Sequence, residues 1–163
     1  MNSAKVFFAT TLVLMCSGLL QGQQATDRDF GQGLDLYEAT RFSEAAEAFK
    51  HSLKENPNNA EAYYYLGNSY FKMYRYKDAV QAYRRAIELK PTHFEAYNNL
   101  GTVYHTLGKF KEAVSSYKEA LRIKPDYPEA NLGLGVMYLE LKDKDGALEQ
   151  HKRLAAIDPE RAR

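Results

Sequence analysis

The chain has 163 residues, 45% of them hydrophobic, which is room for a single globular domain. Its 22 Lys and Arg nearly balance 21 Asp and Glu, and a net charge of +1 gives no electrostatic reason to hold nucleic acid or anionic lipid. Thirteen Tyr and no Trp point instead to rings used in helix packing, with some left to line a binding face.

The first segment, MNSAKVFFATTLVLMCSGLLQGQQA, carries one positive charge, Lys5, ahead of an apolar run from Val6 to Leu20. That run falls short of the ~20 residues a membrane-spanning helix needs. A charged start, a short apolar stretch and small residues nearby describe a secretory signal peptide, cleaved after Gly18 or Gly22. Residues 1–22 are therefore expected to be a signal peptide, or an uncleaved anchor through residues 6–20, and 23–25 a short linker. Met15 before Cys16 is too large for a lipoprotein signal, and cleavage beyond Cys16 leaves a mature chain without a thiol. The expected location is periplasmic or secreted.

From residue 26 onward the sequence repeats every 34 residues. Pro57, Pro91, Pro125 and Pro159 mark the period, as do Gly33, Gly67, Gly101 and Gly135, and Ala45, Ala79, Ala113 and Ala147. Leu66, Leu100 and Leu134 precede three of those glycines, and Tyr70, Tyr104 and Tyr138 follow them. An aromatic lies four residues after the alanine at Phe49, Tyr83 and Tyr117, with His151 in the last copy.

Each copy reads as two helices. In the third, Tyr97, Leu100, Tyr104 and Leu107 recur in steps of three and four, one face of a helix from Glu95 to about Leu107. A break at Gly108–Phe110 follows, and a second helix runs to about Ile123 before Pro125 stops it. Gly101 and Ala113 allow the pair to approach closely, with Tyr104 and Tyr117 filling the space beside that contact. A hairpin this short cannot bury its apolar face alone, so copies must stack on a shared core.

These columns resemble the tetratricopeptide repeat family, in four gapless copies at 26–59, 60–93, 94–127 and 128–161. The resemblance implies an all-α solenoid of eight antiparallel helices wound as a right-handed superhelix, spanning 26–163. The end copies depart from the pattern at Asp29, Gln32, Asn131 and His151, as outer faces meeting water should. The last copy is expected to serve as its own cap through Glu149 to Arg153, the alternative being an edge for self-association.

The residues carry no recognisable catalytic or metal constellation. His51, His93, His105 and His151 lack H-x-x-x-H or C-x-x-C companions, so neither metal nor other cofactor is expected. GLGVMY at 133–138 lacks the third glycine of a nucleotide turn and lies in a helical stretch. Glu61, Glu95 and Glu129 share one column in the first turn of successive helices, where negative charge suits the helix dipole. Basic and aromatic residues mix in YRYKDAVQAYRRAIELK, but the modest positive excess of the middle copies is flanked by acidic ones, so no nucleic-acid partner is expected.

In the family, the first helix of each copy lines a concave groove in which peptides lie. Transferred place by place, the resemblance implies a central peptide-binding set of Tyr64, Tyr65, Asn68, Phe71, Lys72, Asn98, Asn99, Thr102 and His105. Side-chain amides such as Asn68 and Asn99 both donate and accept, which suits gripping an extended backbone without reading its sequence. Family members that grip a C-terminal carboxylate need cations where this chain has Tyr64, Glu129 and Gly133, so that use is not expected. The expectation is a non-catalytic adaptor for a protein or peptide partner in the cell envelope. The alternative is a structural oligomer, or an accessory subunit of a secretion, pilus or outer-membrane assembly or of a separate enzyme.

Overall fold

The computed structural model describes residues 28–162, so the expected signal peptide and linker lie outside the described residues. Residues 28–38 are helical (α1), followed by α2 (Phe42–Glu55), α3 (Ala60–Lys72), α4 (Tyr76–Leu89), α5 (Phe94–Thr106), α6 (Phe110–Ile123), α7 (Pro128–Glu140) and α8 (Lys144–Ile157). No strand occurs among the described residues. The hydrophobic period of three to four thus becomes four helical hairpins, an all-α solenoid.

The turns inside each hairpin repeat one local solution. Thr40, Tyr74, Gly108 and Lys142 all take the left-handed conformation, with φ between 59° and 70°. The next residue's N–H then reaches back five residues, as Arg75 does to Tyr70 and Lys109 to Tyr104, closing the helix end. Only Gly108 adopts this φ freely; a side chain there costs roughly 1 kcal/mol. Between hairpins the stop is proline. Asn56, Lys90, Lys124 and Asp158 each precede one and are extended, with ψ of 82–90°, which breaks the helix at the same point every time.

Packing follows from the small-residue columns. Ala45, Ala79 and Ala113 are fully buried between the two helices of a hairpin, and Ala62, Ala96 and Ala130 are fully buried where one hairpin meets the one before. Buried clusters bridge neighbouring hairpins: Phe49 and Leu53 pack with Ala62 and Leu66, Tyr83 and Ala86 with Ala96 and Leu100, and Tyr117 and Ala120 with Ala130 and Leu134. No hairpin owns its core. The last hairpin lacks a following neighbour among the described residues, and Leu132, Leu139, Leu141, Leu148 and Ile157 are exposed there.

The stacking also sets the curvature. Among α2–α8, the first helices touch one another (α3 with α5, α5 with α7), whereas the second helices of successive hairpins do not. An inner layer packed more tightly than the outer one bends the array toward the first helices. That inner face is where the expected groove residues lie.

Candidate functional site: the inner face of α3 and α5

A pocket of ≈ 260 Å³ opens on this face, lined by Tyr37, Tyr64, Asn68, Phe71, Lys72, Tyr83, Asn99 and Thr102. It is smaller than the ~300 Å³ at which sites for drug-sized ligands begin, and suits one side chain or a peptide unit. Side chains on α3 and α5 reach it because steps of three and four place Tyr64, Asn68, Phe71 and Lys72 along one stripe.

The pocket floor is a connected polar network. Asn68 Oδ1 accepts from the Tyr83 hydroxyl at 2.7 Å and from Asn99 Nδ2 at 2.9 Å. Asn99 Nδ2 also lies 3.4 Å from the Tyr64 hydroxyl, and Asn99 Oδ1 accepts from Asn98 Nδ2 at 3.1 Å. Asn68 and Asn98 are both 8% exposed, so these bonds hold the amides where water could not. Asn99 Oδ1 keeps a lone pair beyond its bond from Asn98, and the Asn68 amide also bonds the Tyr64 hydroxyl, so amides and phenols form one cluster at the pocket. Burial raises the pKa of Tyr64 and, more strongly, of Tyr83, so both phenols keep their protons and remain donors.

The expected set is thus divided by the structure. Tyr64, Asn68, Phe71, Lys72, Asn99 and Thr102 converge on the pocket. Tyr65 turns away into the junction of the first two hairpins, stacked on Phe49 at 5.8 Å with Tyr37 edge-on at 5.9 Å. Asn98 and His105 line a neighbouring, wider recess of ≈ 570 Å³ with Glu129, Leu132 and Arg161, and Thr102 borders both. The sequence reading gave Tyr83 only a packing role; its hydroxyl in fact completes the pocket floor. The available signal was Tyr where Phe49 stands in the first copy, since a buried phenol needs a partner.

Next to Tyr64, outside the pocket lining, lies a cluster of charged groups. His93, 3% exposed, packs against Tyr64 with the two rings tilted by 37° and their centroids 4.7 Å apart. Its Nδ1 is 3.0 Å from Glu95, and its Nε2 lies 3.4 Å from Glu61 without hydrogen-bond alignment. Burial opposes ionisation of Glu61, but the hydrogen bond from Lys90 at 2.8 Å, with the charges of His93 and Lys90, outweighs it and lowers the pKa. Glu129 likewise pairs with Arg161. The glutamate column therefore sits at helix starts, and Glu61 and Glu129 also tie their helices to residues that follow the hairpin, whereas Glu95 bonds back to His93. No group of three or more His, Cys, Asp or Glu suited to a metal occurs among the described residues.

Stacked helical hairpins with an open, polar-floored inner face define a helical-repeat scaffold. Models of the tetratricopeptide repeat match residues 60–126 and 104–163, and a TPR repeat model matches 33–73, so together they run from 33 to 163. The chain belongs to the tetratricopeptide repeat family, whose members act in protein–protein interaction. It is similar to the crystal structure of MamA, at 26% identity and a TM-score of 0.81, covering 90% of this chain and 86% of that one. A thermophilic TPR protein from Thermus thermophilus is similar at 27% identity and a TM-score of 0.70, over 83% of this chain and 75% of that one. A MamA from Desulfovibrio magneticus, 22% identical with a TM-score of 0.77 over 82% and 76% of the two chains, shares the fold. No curated protein matches the chain.

Proposed function

We propose that this chain is a non-catalytic adaptor that holds an extended segment of a partner protein along its inner face, in the cell envelope, after export directed by residues 1–22. The observation that carries the reading is the Asn68–Asn99 amide pair, which spans two hairpins and lines a pocket sized for one residue. A peptide backbone offers the complementary carbonyl and N–H at every step. Tyr64 and Phe71 supply flat apolar contact beside the amides, and exposed Lys72 at the rim favours an acidic neighbour in the bound segment.

The test is selection of peptides from a random displayed library, followed by fluorescence anisotropy of the selected sequences. Asn99→Ala is the informative variant, because Asn68 also serves Tyr83 and its loss would disturb the fold. Extended peptides whose binding weakens about tenfold on Asn99→Ala, roughly 1.4 kcal/mol, with far-UV circular dichroism unchanged, support the proposal. A library that yields no binders, or binders indifferent to Asn99→Ala and Lys72→Ala, rejects it. Export is read from the native protein: a mature chain starting at residue 19 or 23 supports it, and retention of Met1 in a soluble cytoplasmic fraction rejects it.

A further inference from the structure

In the first three hairpins an aromatic ring lies on the glycine of the first helix. Were a Cβ present, it would stand 2.5 Å from the Phe49 ring at Gly33, 2.7 Å from Tyr83 at Gly67 and 2.8 Å from Tyr117 at Gly101. The fourth hairpin keeps the glycine but not the ring. His151 stands in the aromatic column and is exposed, and the nearest atom to a Cβ at Gly135 is Gln150 Cβ at 3.4 Å. Gly33, Gly67 and Gly101 are buried, whereas Gly135 is only half-buried. The ring's place is a recess of ≈ 140 Å³ walled by Leu132, Val136, Leu139 and Leu154, with Asn131, Gln150, His151 and Arg161 as its polar lining. An apolar cavity of about 150 Å³ holds a benzene.

We propose that this slot over Gly135 is a second binding site, apart from the inner-face pocket, and that it takes one aromatic side chain, tyrosine by preference, from a helix of another protein. The three earlier hairpins supply the template for the occupant, since in each of them the same glycine cradle is filled by a ring. Polar wall groups select tyrosine: Asn131 Oδ1 and Gln150 Oε1 are buried with no hydrogen-bond partner among the described residues. Within the fold a phenol answers the same need, Tyr83 donating to an asparagine oxygen. Leu132 and Leu139, 46% and 63% exposed, border the slot and give a docking helix apolar surface to cover. In the preceding hairpins the next first helix packs against both helices of the hairpin, so the incoming helix would lie where a fifth hairpin begins.

The probe is p-cresol, the side chain of tyrosine, with toluene as its counterpart lacking the hydroxyl, each titrated into isotope-labelled full chain and followed by NMR. Saturable shifts at the methyls of Leu132, Val136, Ala147 and Leu154, with toluene about fivefold weaker, support the proposal. His151→Tyr fills the slot from its own helix and Gly135→Leu fills it from the opposite wall. Each should weaken p-cresol binding at least about tenfold while circular dichroism shows an intact fold. Absent shifts, shifts centred on Tyr64 and Asn99, or binding unchanged in both variants would overturn it, and equal affinity for toluene would overturn the preference for tyrosine. Should the same methyls shift with protein concentration alone while light scattering reports a dimer, a second copy is the occupant and a separate partner is ruled out.

Discussion

Alanine placed in the same glycine column should have opposite effects at two positions, Gly67 and Gly135. At Gly67 the new Cβ would lie 2.7 Å from two carbons of the Tyr83 ring, closer than real Cβ contacts occur. That ring is 1% exposed, packed against Ala96 and Leu100, and tethered by its hydroxyl to Asn68, so it has nowhere to retreat. Overpacking of this kind costs roughly 1–3 kcal/mol, while alanine's better helix propensity returns about 1 kcal/mol. Gly67→Ala should therefore lose up to about 2 kcal/mol, toward the upper end because the ring cannot retreat. At Gly135 the Cβ meets one atom at ordinary contact distance, so only the propensity gain remains, about 1 kcal/mol. Urea unfolding followed by far-UV circular dichroism measures the first. Hydrogen exchange of α7 and α8 measures the second, because a terminal hairpin can open by itself. If the two substitutions shift stability in the same direction, the ring-on-glycine account of the stack is wrong.

Two further outcomes follow from the polar groups. Tyr83→Phe should cost about 1 kcal/mol in urea unfolding, the net worth of one buried hydrogen bond, and no more, because Asn68 Oδ1 keeps its bond from Asn99; a loss as large as that of Tyr83→Ala would contradict it. Glu61 has a lowered pKa in the folded chain, so its contribution is present above the usual carboxylate range near 4.5 and drains away as pH falls through the lower folded value. Melting temperature against pH should thus fall more steeply below about pH 4.5 in the wild type than in Glu61→Gln, and parallel curves would remove Glu61 from the account.

How much of this was legible beforehand depends on the kind of residue. The prolines, glycines and alanines act locally or at one close contact: Pro91 and Pro125 end their helices, and Gly101 and Ala113 admit a neighbour wherever they are placed. Their 34-residue spacing was enough to specify helical hairpins and their stacking. The inner-face residues were legible as a stripe, not as a site. Tyr64 and Tyr65 are adjacent in sequence and both lie toward the groove by register, yet one borders the pocket and the other stacks on Phe49. That choice was made by the ring of the preceding hairpin, which nothing in the local pattern identifies.

The amino-acid sequence by itself determined the number of hairpins, where each begins and stops, and which small residues face one another, because those follow from backbone sterics and short-range periodicity. Tertiary structure alone decided that Asn68, Tyr83 and Asn99 share one hydrogen-bond network, that His93 is enclosed between Glu61 and Glu95, and that the slot over Gly135 stands open. Those outcomes depend on the angle at which one hairpin leans on the next. The angle is fixed by rings wedged between helices, a sum over many contacts that no single stretch of chain encodes.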